Sequence, residues 1–190
     1  MKWTAIIFAL AVTLLIAACE KPPAPKPTPP APDKPLIVVV PGLGGPDDAI
    51  LAARLTADFP QANVVNFGTG NDSFLADVKG YIDAAPHTTL ITIGFSYGTD
   101  TLNKIIGSLG PVALDVKLDP VPRAWFTTYK ITPNVGRTVV VAGDFIGLIR
   151  APIDGKYDEF KVHVGHVQIP NDPRTIAVVH DAVARALEKP

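Results

Sequence analysis

Thr88-Thr-Leu-Ile-Thr-Ile-Gly94-Phe95-Ser96-Tyr97-Gly98 decides the reading of this chain. Leu90 to Ile93 is apolar and β-prone, Thr101 to Leu109 begins as a helix would, and Gly-x-Ser-x-Gly stands between them. A serine on a sharp strand-to-helix turn requires that side chains two positions before and after it do not strike neighbouring backbone. Those positions are Gly94 and Gly98. Such a turn lifts the hydroxyl clear of the sheet, and the following helix aims its first free N–H groups at any anion formed there. Ser96 is therefore the candidate nucleophile.

Upstream, Leu36-Ile-Val-Val-Val40 is a continuous apolar, β-branched run of the kind buried in the middle of a parallel sheet, and Pro41-Gly42-Leu43-Gly44-Gly45 follows it. Pro46 to Phe59 has helical spacing, with Ile50, Leu51, Leu55 and Phe59 on one face. Asn63 to Phe67 reads as a strand, and Ser73 to Ala85 as a helix with Phe74, Val78 and Ile82 inward. Downstream, Pro111 to Leu118 is a strand that stops at Asp119-Pro120. Pro122 to Gly136 is aperiodic, and its Trp125, Phe126 and Tyr129 suggest a loop packed on the sheet edge rather than an apolar lip beside a pocket. Arg137 to Ala142 is a strand ending at Gly143-Asp144, and Lys161 to Gly165 is expected to be the last strand, with His166 directly after it. Asp172 can cap a closing helix that has Pro173 at its first position and runs to about Glu188. Strands alternating with helices imply right-handed crossovers and a mostly parallel sheet covered on both faces, an α/β fold in a single domain.

A chain of 190 residues with 47% hydrophobic residues suits one well-cored domain. The formal net charge of -1 and the lack of a basic cluster interleaved with aromatics argue against a nucleic-acid partner. Residues 1–18 have an early lysine, an apolar run from Ala5 to Ile16 and small residues before Cys19, the layout of a secretory signal peptide. Ile16-Ala17-Ala18-Cys19 resembles the bacterial lipoprotein box, which implies that Cys19 is acylated and becomes the new N-terminus. Glu20 after the cysteine favours the outer membrane in that pattern. From Glu20 to Pro35 the chain is dominated by Pro, Ala and Lys, a composition that favours extended polyproline II and reads as a tether, with a docking site for a proline-recognising partner as the other use. The expected organisation is a signal peptide over 1–18, a lipid-anchored tether over 19–35 and a folded domain over 36–190, held at the bacterial cell envelope.

A serine hydroxyl becomes a nucleophile at neutral pH when an imidazole takes its proton and a carboxylate holds that imidazole in the right tautomer. Ser96, an aspartate and His166 occur in that chain order, each beyond the C-terminal end of an expected strand, the edge where open α/β sheets place their sites. Over Leu36 to Lys189 the chain resembles the α/β-hydrolase superfamily of serine esterases and lipases. The resemblance implies two candidate acids. Asp144 lies after the penultimate strand, where the superfamily usually carries its acid. Asp119, in Leu118-Asp119-Pro120, lies one strand earlier, as in pancreatic-type lipases, and is preferred. His166-Val-Gln-Ile is similar to the His-x-x-Ile of small hydrolases. His163 is expected to be structural within the strand, His87 to lie in a loop and His180 on a helix surface. Pro41-Gly42-Leu43-Gly44 is similar to the His-Gly-x-x loop that supplies an oxyanion donor, with Pro41 in place of the histidine. Leu43 N–H, with Gly44 second, would join Tyr97 N–H as the donors. No His, Asp or Glu grouping has metal-ligand spacing, so neither metal nor cofactor is expected. The resemblance implies hydrolysis of small-molecule or lipid carboxylic esters in an open, lid-poor pocket. Thioesterase or acyltransferase chemistry would use the same residues, and a non-catalytic envelope lipoprotein could keep the scaffold for binding.

Overall fold

The computed structural model describes residues 33–42, 48–67, 73–121, 127–144 and 150–188. The calls on residues 1–32, including Cys19, and on Leu43, Gly44, Trp125, Phe126 and the side chain of Phe74 lie outside what it describes. Among the described residues, eight strands and four α-helices follow one another as β1 (Lys34–Val40), α1 (Asp48–Asp58), β2 (Asn63–Asn66), α2 (Ser73–Ala84), β3 (His87–Phe95), α3 (Tyr97–Ile105), β4 (Leu114–Leu118), β5 (Tyr129–Lys130), β6 (Thr138–Ala142), β7 (Ile153–Asp154), β8 (Asp158–Lys161) and α4 (Pro173–Leu187). Six strands form one sheet in the order β2-β1-β3-β4-β6-β8, and every neighbouring pair is parallel. The fold class is α/β with a mostly parallel sheet.

The central strands read as apolar because both sides of the sheet are covered. Ile37, Val39, Ile91, Ile93, Val116, Leu118 and Val141 pack on one face with Leu51 and Leu55 of α1 and Val179 and Val183 of α4. Leu36, Val38, Val40 and Leu90 pack on the other with Val78 and Ile82 of α2 and Leu102 and Ile105 of α3. This division follows the period of two along each strand.

Several local expectations are corrected. Ile50 is not on the inward face of α1; it is half exposed, while Leu51, Leu55 and Phe59 are buried. The last strand is Asp158–Lys161 rather than Lys161–Gly165. All four of its residues are exposed, so this edge strand lacks the apolar pattern that reveals the others. Val162, just past the strand, is buried, and its N–H still bonds Ala142 O at 2.8 Å. His163 accordingly stands beyond the strand and is exposed, and His87 opens β3 rather than occupying a loop. The loop after Asp119 contains a short strand whose Tyr129 is fully buried, paired with β7 in a second, two-stranded sheet.

Candidate active site

The sheet order places a topological switch between β1 and β3, because the chain leaves β1 toward β2 on one side and leaves β3 toward β4 on the other. Crevices open at the C-terminal ends of strands at such points. Ser96 follows β3 there. Its φ of 52° with ψ of -120° is a strained conformation for a residue with a side chain. The flanking glycines explain how the turn closes. A Cβ on Gly98 would come 2.0 Å from Val40 O, and one on Gly94 would come 2.7 Å from Thr99 Cα. Thr99 Oγ1 donates to Gly94 O at 2.9 Å and ties the helix back onto the strand, while Ser96 N–H bonds Leu118 O at 2.9 Å.

Asp119 follows β4, the neighbour of β3, also with positive φ (39°). Its N–H bonds Val141 O at 2.7 Å, and its Oδ1 accepts from Gly143 N–H at 3.3 Å. His166 opens the 3-10 turn His166–Asn171. Its Nδ1 lies 2.7 Å from Asp119 Oδ2 and its Nε2 lies 2.9 Å from Ser96 Oγ. An ionised carboxylate only accepts, so the neutral ring carries its hydrogen on Nδ1 and leaves Nε2 free to accept from the serine hydroxyl. Phe95 stacks on the imidazole with ring centroids 4.8 Å apart and fixes its plane. The turn is anchored behind by Asp172, whose carboxylate caps α4 by accepting from the N–H groups of Arg174 and Thr175. The Arg174 guanidinium beside it, helped by those N–H bonds, holds the Asp172 carboxyl below its ordinary range.

The sequence-predicted residues thus divide. Ser96, His166 and Asp119 form one hydrogen-bonded row in which serine and aspartate are each 4% exposed. Asp144 is outside it: its side chain is exposed and pairs with the still more exposed His163. Tyr97 begins α3, so its N–H belongs to the first turn of that helix. Gly42 lies against the row, since a Cβ there would come 2.9 Å from Ser96 Cβ. Leu43, the next residue, is outside the described residues. Phe95, Gly143 and Gly42 were not singled out for these contacts in the sequence; each depends on proximity between strands. No group of three or more His, Cys, Asp or Glu able to hold a metal ion occurs among the described residues.

Fold and site define an α/β protein with a serine, an imidazole and a carboxylate in line at the C-terminal edge of a parallel sheet. The fold is similar to that of the esterase domain of a Rhodothermus marinus protein, with a TM-score of 0.56 and 11% sequence identity, over 79% of this chain and 84% of that one. No family model matches the sequence, and no curated protein matches it.

Proposed function

We propose that this chain is a serine hydrolase that cleaves carboxylic esters through an acyl-enzyme on Ser96. The observation that carries the reading is the continuous hydrogen-bonded path from Ser96 Oγ through His166 to Asp119 Oδ2. Its position at the C-terminal sheet edge, where open α/β sheets place their sites, supports it, as does the likeness of the fold to that of an esterase domain.

In this reading His166 Nε2 takes the serine proton as Oγ attacks the ester carbonyl, and Asp119 stabilises the imidazolium that forms. The tetrahedral oxyanion is met by Tyr97 N–H at the start of α3 and by Leu43 N–H from the loop after β1. Two such donors contribute several kcal/mol, about 2.7–4 for each one removed in comparable enzymes. His166 then protonates the leaving alcohol, activates a water and returns the enzyme to its starting state. Small acyl esters and acyl chains at a lipid surface suit an open pocket. Acylation of Cys19 would hold the domain at the envelope membrane, outer membrane preferred, on the proline-rich tether.

The test is intact-mass analysis of the full chain after exposure to a fluorophosphonate, where a Ser96 Oγ–P bond forms as fluoride leaves. One adduct on the wild type, absent from Ser96→Ala and His166→Ala, is expected. A folded wild type that takes no adduct would sink the proposal. Esters and thioesters assayed side by side then set the substrate class.

A further inference from the structure

Beside the apolar contacts of α3, the same face of the sheet carries a buried polar cluster. Thr92, Asp115 and Lys117 are buried on neighbouring β3 and β4, where Thr92 and Asp115 are register partners. Thr92 Oγ1 donates to Asp115 Oδ1 at 2.8 Å, and Lys117 Nζ pairs with Asp115 Oδ2 at 2.6 Å. The ammonium lies 5.7 Å from the ring centroid of Tyr129, a residue with no exposed surface. The Tyr129 hydroxyl donates to Val121 O at 3.0 Å and stands 3.5 Å from Asp100 Oδ1. Asp100 belongs to the helix that starts at Ser96, and Val121 to the turn that starts at Asp119. One phenol therefore touches both limbs of the site. A buried ion pair contributes little net stability relative to an apolar pair of the same volume, so stability alone does not account for this arrangement.

We propose that Tyr129 is a positioning residue: its hydroxyl fixes the Val121 carbonyl and with it the turn that presents Asp119 to His166. The proposal rests on the hydrolase reading of the site. Asp119 has positive φ, and a residue in that conformation keeps it only where its flanks are held. Among the described residues, three bonds hold the main chain of this turn: Asp119 N–H to Val141 O at 2.7 Å, Ala151 N–H to Pro120 O at 3.1 Å, and the Tyr129 hydroxyl to Val121 O. The third is a side-chain bond, and it reaches the same network that seats α3. Without it Val121 is free to move, and the Asp119 carboxylate drifts from the imidazole. Phenylalanine keeps the ring over Lys117, so Tyr129→Phe isolates the hydroxyl.

The experiment compares the full-length wild type, Tyr129→Phe and Asn134→Ala. Asn134 Nδ2 bonds Ile106 O and Gly110 O at the opposite end of the sheet, so its loss destabilises the fold without touching the site. Two quantities are read, the second-order rate of fluorophosphonate labelling and the low-field proton resonance of His166 Nδ1–H. Tyr129→Phe is expected to label about three- to tenfold more slowly, the worth of one hydrogen bond, and to shift the resonance. Asn134→Ala is expected to match the wild type in both. A Tyr129→Phe protein with wild-type rate and resonance overturns the proposal, as does Asn134→Ala slowed and shifted to the same extent. A wild type that takes no label overturns the hydrolase reading instead, and the resonance still decides whether Tyr129 governs the pairing of Asp119 with His166.

Discussion

A carboxylate can orient an imidazole only from within hydrogen-bond reach of its far nitrogen, and the two candidate aspartates differ in that respect. Asp119 stands beyond β4, directly beside the nucleophile strand. Asp144 stands beyond β6, one strand farther out, and strands are about 4.8 Å apart. Asp144 instead meets His163 in an exposed pair of the kind that contributes about 0–1 kcal/mol. Asp119→Asn should therefore lower kcat by about 10²–10⁴-fold with the fold intact, because the amide favours the wrong tautomer. Asp144→Asn should leave kcat unchanged. Assay of both variants with one soluble ester checks this, and the opposite ranking would return the acid to Asp144. Ser96 was legible in the sequence because glycines and a strand end mark it, and His166 through its likeness to the His-x-x-Ile of small hydrolases, since the strand expected directly before it ends at Lys161. Leu118-Asp119-Pro120 favoured Asp119 over Asp144, but how far the His166 loop crosses the sheet, on which the choice depends, has no local signature.

At the scale of elements, glycine means different things in different places. Gly98 has β1 backbone where a side chain would go, and a Cβ would meet Val40 O at 2.0 Å. Gly98→Ala should cost about 3 kcal/mol or more and separate α3 from β1. Gly80, inside α2, has no atom within 4 Å of a Cβ placed there, so Gly80→Ala should stabilise the protein by about 0.5–1 kcal/mol. Denaturant midpoints of the two variants, moving in opposite directions, are the check. The cap of α4 carries a pH dependence whose sign is set by Asp172. Its folded-state pKa is lowered by Arg174 and the cap N–H groups, so its contribution is complete above the unfolded value near about 3.9 and is lost as pH falls through the folded value. The wild type should exceed Asp172→Ala in stability by about 1 kcal/mol at neutral pH, and the gap should close on acidification below about pH 4. Unfolding curves of both proteins across that range measure it; a constant gap would exclude a charged cap. The serine-bearing elbow and this cap were readable because each is a local backbone requirement. Strand β8 and the polar cluster around Tyr129 were not, because an exposed edge strand and a polar cluster under a helix have no periodic signature.

On the scale of the whole molecule, a parallel sheet fixes which way the site faces. β1 begins at Lys34, beside His87 at the N-terminal edge of the sheet, whereas Ser96, Asp119 and His166 converge at the C-terminal edge. Seven residues of β1 at about 3.3 Å each put roughly 20 Å between the two edges. A chain held through the proposed lipid on Cys19 thus enters the domain on the side away from Ser96. A tether of roughly fifteen residues could extend the reach to about 45 Å. No helix among the described residues is long and apolar enough to cross a membrane. In the proposed reading attachment is through the acyl chains, each buried CH₂ contributing about 0.8 kcal/mol. Cys19→Ala should then move the full chain from the detergent phase to the aqueous phase in a phase-partition assay while Ser96 labels at the wild-type rate. A variant that stays in the detergent phase would refute lipid attachment at Cys19. One that partitions as expected but labels more slowly would show that the anchor acts on the site, which the separation of the two sheet edges argues against.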